Sequence, residues 1–140
     1  MAQHKINHIA VAVPDVHAAL GFWRDALGLA VEREETNAEE AVQIAFLRAG
    51  ESHIELLQPT DPDGALARFL AKRGAGLHHI CLEVADINAS LAHLRAHGAE
   101  LITEVPKTRP DGVHYAFIHP RSTGGVLVEL YELPEQPTES

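Results

Sequence analysis

A tandem repeat constrains this chain more than any other feature. Residues 7–13 (NHIAVAV) align with 78–84 (HHICLEV), so that His8 falls on His79. SHIELLQP then aligns with VLVELYEL, placing Glu55 on Glu129, and a short insertion around Arg121–Gly125 takes up the difference in spacing. His8, Ile9, Val13, Asp15, Ala18, Leu20 and Arg24 recur as His79, Ile80, Val84, Asp86, Ala89, Leu91 and Arg95, and AFL at 45–47 answers AFI at 116–118. So many matches in so short a window mark two copies of one supersecondary unit.

Within each copy the periodicity gives the elements. A strand over 6–13 puts Ile9, Val11 and Val13 on one face and His8, Ala10 and Ala12 on the other. Pro14 ends it, Asp15 can N-cap a helix over 16–27, and Gly28 stands at the stop; Val16, Leu20, Trp23 and Leu27 form its apolar stripe. The second copy repeats the plan with a strand at 78–84, Asp86 as cap, Ile87, Leu91 and Leu94 as stripe and Gly98 as stop. Strands are expected at 29–35, 42–49 and 53–58, then at 100–105, 113–119 and 126–132, so each half reads β-α-β-β-β. The connector 59–76 offers Asp61 or Asp63 as a cap and a short amphipathic helix through Leu66, Phe69 and Leu70. The chain thus reads as one domain over 1–140: a first module over about 6–58, a linker over 59–76, a second module over about 77–133 and a disordered tail from Pro134 to 140.

Composition removes several function classes. A formal charge of −9 argues against a nucleic-acid partner, which requires clustered Lys and Arg. No apolar run approaches the ~20 residues of a membrane span. The start MAQHKINHI lacks a signal-peptide pattern and Cys81 is the lone cysteine, so a cytoplasmic location is expected.

The chemistry rests on the repeated residues. A single His or Glu on the wet face of an alternating strand carries no message. Here both types recur at equivalent places, and both glutamates interrupt apolar runs, IELL and VLVEL, where a carboxylate is costly unless paired or coordinated. On 53–57, Glu55 shares a face with His53 and Leu57; on 126–131, Glu129 shares one with Leu127 and Tyr131. Two histidines and two glutamates carried on strands this way look like a divalent-metal site, and the small Ala10 and Ala12 leave room beside His8 for a ligand. In the His78–His79 pair, both the repeat and the alternation select His79. His4, His17, His93 and His97 sit at ends or on polar helix faces, and Cys81 reads as packing.

NHIAVAVPD at 7–15, IELLQP at 54–59, FLAKRGAGLHHICLEVADI at 69–87 and FIHPRSTGGVLVELYE at 117–132 together resemble the vicinal oxygen chelate superfamily, and within it the methylmalonyl-CoA epimerase family, from about residue 6 to 133. The resemblance implies an α+β fold in which two tandem βαβββ modules form a cupped, barrel-like mixed sheet with helices outside. It makes His8, Glu55, His79 and Glu129 the metal ligands, with Co²⁺ favoured and Mn²⁺, Ni²⁺ or Zn²⁺ also suited to such donors. It implies proton transfer at C2 of methylmalonyl-CoA through a metal-stabilised enolate, Glu129 as the catalytic base, an acyl-CoA substrate and a homodimer.

The chain departs from that pattern in two places. Some relatives carry a second glutamate on the third strand, where AVQIAFL offers Gln43 and no carboxylate; Glu40, His53, His114 and His119 are the titratable alternatives. KTRPDGVHYAF at 107–117 replaces a more glycine-rich loop. CoA phosphates would need a local basic patch, for which Lys72 with Arg73, or Lys107 with Arg109 and Arg121, are available. Three rivals use similar folds: a glyoxalase I-type lactoylglutathione lyase, an extradiol dioxygenase, and a metal-free small-molecule binding module.

Overall fold

The computed structural model describes residues 4–135 of the chain. The fold is mixed α+β, in two compact units: one covers residues 8–78, and the other runs from 79 onward and takes in the residues before 8. The expectation of a disordered tail falls, from residue 136 on, outside the described residues.

The first unit contains β1 (Lys5–Ala12, mostly within it), α1 (Val16–Leu20), β2 (Val31–Asn37), β3 (Val42–Ala49), β4 (Ser52–Pro59) and α2 (Ala65–Arg73). Its strands lie in the order β2-β3-β4-β1, antiparallel except for the parallel pair β4–β1. The crossover through α1 is what allows β1 and β4 to run parallel. Asp15 caps α1 by accepting from the Ala18 N–H at 3.2 Å. Val16 and Leu20 then bury against Val13, Ala45, Leu47 and Leu56, forming the core under the sheet.

Beyond Leu20 the helix continues over Gly21–Ala26 with π-type bonding, including Leu27 N–H to Phe22 C=O at 2.8 Å. That wider turn corrects the expected stripe. Trp23 still packs on the core, but Leu27 is 54% exposed, because five-residue spacing rotates it off the buried face. Gly28, at φ 91°, closes the helix as expected.

The linker helix is not capped by Asp61 or Asp63. Gly64 occupies the N-cap, while the Asp61 carboxylate accepts from the Asp63 N–H at 2.9 Å and stabilises the turn before it. Leu66, Phe69 and Leu70 of α2 pack with Ala10, Ala12, Val42, Ile44 and Leu57. This is the face of β1 that carries His8, so the space expected beside the two alanines is filled by α2.

The second unit contains β5 (Gly76–Glu83, mostly within it), α3 (Ile87–Ala96), β6 (Lys107–Thr108), β7 (His114–Ile118) and β8 (Leu127–Glu132), with strand order β5-β8-β7-β6. Asp86 caps α3 through the Ala89 N–H at 3.0 Å, and Ile87 and Leu91 bury against Val84, Ala116, Ile118 and Leu130. The strand expected over 100–105 does not form. Ile102 and Thr103 N–H groups both donate to Phe117 C=O, at 2.9 and 3.1 Å, and Thr103 Oγ1 accepts from Phe117 N–H at 3.1 Å. A side chain there takes the acceptor place of a strand backbone, so the ladder breaks and resumes only past Pro106 at β6. Among the described residues no helix is long and apolar enough to cross a membrane.

The two helix–sheet cores predict separable costs. Leu91→Ala, at the centre of the second core, should destabilise by about 2–5 kcal/mol, and Asp86→Ala, which removes a cap, by about 1 kcal/mol. Urea unfolding midpoints at constant slope check both.

Candidate functional site

In each unit a histidine on the first strand meets a glutamate on the parallel last strand. The β1–β4 register sets His8 opposite His53 and Ala10 opposite Glu55, so His8 and Glu55 are diagonal neighbours on one face. Their side chains lean together, with His8 Nδ1 3.0 Å from Glu55 Oε2. The β5–β8 register repeats the diagonal, with His79 opposite Leu127 and Cys81 opposite Glu129, and His79 Nε2 lies 3.3 Å from Glu129 Oε1. His8, Glu55, His79 and Glu129 are all buried, at 1%, 8%, 7% and 6% exposed. Among the described residues no buried side-chain nitrogen or oxygen lacks a partner, so these groups are buried in satisfied arrangements.

The supporting residues follow the repeat as well. Phe46 is the Cα partner of Glu55 and Phe117 that of Glu129, and the Phe117 ring meets His79 edge-on at 6.1 Å. His78, the other member of the HH pair, packs instead against Phe69 of α2 at 4.8 Å. Cys81 is fully buried.

The alternatives for a further acid–base group fare differently. Gln43 pairs in register with Gln58, which accepts from the N–H of Val16 at the start of α1 at 2.8 Å; Phe46, not Gln43, is the partner of Glu55. Gln43 therefore lies on the helix-facing side of β3, and Val42, Ile44, Phe46 and Arg48 are the positions of β3 that share Glu55's face. His53 is taken up by Glu32, 2.5 Å away, at the exposed rim. That bond, with Arg48 beside it, outweighs solvation effects and holds the Glu32 carboxyl below its ordinary range. His114 shares its register with Glu132 and bonds Thr108 Oγ1 at 2.7 Å, on the opposite face of β7 from Phe117. His119 Nδ1 accepts from the Arg121 N–H at 3.0 Å. Glu40 N–H donates to Asn37 Oδ1 at 3.0 Å in the turn before β3.

Of the basic groups, Arg121 approaches Glu100 at 3.8 Å and Arg73 lies 5.7 Å from the Phe69 ring centroid. Arg109 is the one that reaches the neighbourhood of the repeated residues. It donates to the Tyr131 hydroxyl at 2.7 Å and to Asp111 at 2.8 Å. Partial burial opposes its charge, but Tyr131 and Asp111, with Glu129 beyond them, outweigh that and hold it above its ordinary range. Spacing does not disclose the pairing with Tyr131; its one signal in the sequence is RPDG, a turn motif ahead of β7, the strand that pairs with β8 and its Glu129 and Tyr131.

Comparison with known proteins follows the same line. Residues 7–117 match the Glyoxalase/Bleomycin resistance protein/Dioxygenase superfamily. The chain is 39% identical over 127 residues to the mitochondrial methylmalonyl-CoA epimerase of Homo sapiens, covering 90% of this chain and 72% of that one. It is 37% identical to an ethylmalonyl-CoA/methylmalonyl-CoA epimerase of Cereibacter sphaeroides, covering 92% and 98%. A solved methylmalonyl-CoA epimerase in complex with methylmalonyl-CoA and NH4+ superposes with a TM-score of 0.84 at 35% identity, over 94% of this chain and 96% of that one.

The buried pairs carry an energetic signature. Glu55→Leu and Glu129→Leu each remove a carboxylate from a buried imidazole, and each should destabilise by about 1–3 kcal/mol. Urea unfolding in the presence of a chelator isolates that effect, and a loss below the error of the measurement would contradict it.

Proposed function

The chain belongs to the Glyoxalase/Bleomycin resistance protein/Dioxygenase superfamily and to its methylmalonyl-CoA epimerases, and from that premise we propose a metal-dependent proton transfer carried by His8, Glu55, His79 and Glu129. It is an isomerase that interconverts the C2 epimers of methylmalonyl-CoA. The observation that carries the metal reading is the recurrence of one buried His–Glu diagonal in both units.

The donor set fits a divalent ion. Two imidazoles and two carboxylates are borderline and hard ligands, suited to Co²⁺, Mn²⁺, Ni²⁺ or Zn²⁺, with Co²⁺ our first choice from the family. These four side chains would hold such an ion, which would supply Lewis acidity toward the carbonyl oxygen of a bound thioester, worth several kcal/mol.

The remaining chemistry belongs to the chain. Epimerisation removes the C2 proton, alpha to a thioester, and returns it to the other face. Glu129 is the group we assign to that transfer: a carboxylate on β8, buried beside His79 and braced by Phe117. The apolar neighbours exclude water, which would otherwise solvate the carboxylate and weaken it as a base. β3 carries Ile44 and Phe46 toward Glu55's face, so that strand gives no second carboxylate on that side. We further assign a single domain over 1–140, a homodimer and a cytoplasmic location, each from the sequence and the family.

Deuterium incorporation at C2 of methylmalonyl-CoA in D2O, followed by NMR, tests the reading. Metal-loaded protein should exchange the proton with loss of chirality, a chelator should abolish exchange, and Glu129→Gln should slow it by at least about a hundredfold. Exchange at the uncatalysed rate with metal-loaded protein would sink the assignment. Metal binding should also raise stability, by about 2.7 kcal/mol at a free ion concentration a hundred times Kd, and thermal unfolding with and without each ion would rank the metals.

A further inference from the structure

Arg109 sits in a turn built to hold it. Its N–H donates to Val113 C=O at 2.9 Å and its own C=O accepts from Gly112 N–H at 2.9 Å. Asp111 Oδ1 accepts from Val113 N–H at 3.1 Å, and Gly112 takes φ 89°, which a side chain would strain. Pro110 fixes the first corner. From this frame the guanidinium reaches across to β8, bonding the Tyr131 hydroxyl at 2.7 Å with its carbon 5.6 Å from the ring centroid. Tyr131 alternates with Glu129 on one face of β8, so the cation stands on the side of the sheet that carries the acid–base carboxylate.

Resting on the epimerase reading, we propose that Arg109, braced by Tyr131, binds the free carboxylate of the acyl group and sets the preference for 2-carboxyacyl thioesters. The substrate's C2 bears that carboxylate directly, so a proton-transferring Glu129 and the substrate anion are forced close together. Two like charges at such range repel, and more strongly in a partly dry site than in water. A guanidinium held by Tyr131, on Glu129's face of β8, offsets the repulsion, and its planar fork matches a carboxylate as a lysine ammonium does not. The bonds to Tyr131 and Asp111 orient the fork and leave further N–H donors on the same group. CoA phosphates are an unsuitable target for this residue, since they lie a whole pantetheine arm from C2.

Titration calorimetry of metal-loaded protein with racemic methylmalonyl-CoA and with propionyl-CoA, which lacks only the carboxylate, tests this. Arg109→Met should weaken methylmalonyl-CoA binding by about tenfold or more while propionyl-CoA binding stays within about twofold. Arg109→Lys should restore part of the loss, and Tyr131→Phe, which frees the guanidinium from its brace, should produce a smaller loss of the same selective kind. Equal weakening of both thioesters, as a merely structural turn residue would give, overturns the proposal, and so does no change for either. Wild-type protein that fails to exchange the C2 proton of methylmalonyl-CoA overturns the epimerase reading itself; normal exchange with unchanged selectivity in Arg109→Met overturns this inference alone.

Discussion

A buried imidazole beside a buried carboxylate, held across two parallel strands, is the arrangement on which the rest depends. Either group alone would be expensive to bury; bonded to each other at 3.0 and 3.3 Å they are tolerated inside otherwise apolar strands. The diagonal needs β1 beside β4 and β5 beside β8 in parallel, and a parallel neighbour needs a crossover. The α1 and α3 helices provide it, and their Asp caps and apolar stripes exist to seat those crossovers on the sheet. Capping, core and site are thus consequences of one pairing requirement, met twice.

That requirement is why so much was legible beforehand. A repeat carries its own control: His8 with His79, and Asp15 with Asp86, stand out because the same residue appears where the same job is done. The choice of His79 over His78 needed only strand alternation, and the structure places His79 against Glu129 while His78 turns to Phe69. What could not be read depended on partners outside the local window. Asp61 looked like a helix cap, but its carboxylate found a nearer N–H at Asp63. The segment 100–105 had strand composition, yet the Thr103 hydroxyl competed with the backbone for Phe117. Gln43 stands in the segment where some relatives carry a second glutamate, and only the register with Gln58 shows which face it occupies.

The copies also differ in ways that a repeat alignment hides. Ala10 and Ala12 are sealed by α2, whose apolar stripe has no part in the repeat. Their counterparts Cys81 and Glu83 lie on a strand whose neighbour β8 carries Glu129 and Tyr131, with Arg109 reaching in from the 107–113 turn. Around Ala10 and Ala12 the first copy is apolar on that face, whereas the second carries Tyr131 and Arg109 on the side of its glutamate. Alignment at the ligands therefore overstates how alike the two halves are a few ångströms away.

The π-bonded segment Gly21–Ala26 records a further difference. Between cap and stop the first copy, Asp15 to Gly28, is one residue longer than the second, Asp86 to Gly98. An ordinary helix given an extra residue would turn everything beyond it by about 100° and misdeliver the chain to β2. Here the surplus is swallowed inside a single widened turn: Leu27 is expelled to solvent, Trp23 stays on the core, and the exit at Gly28 keeps the left-handed form used at Gly98. The widened turn thus absorbs the extra residue locally, and the chain leaves the helix at Gly28 as it does at Gly98, with the diagonal between His8 and Glu55 in place.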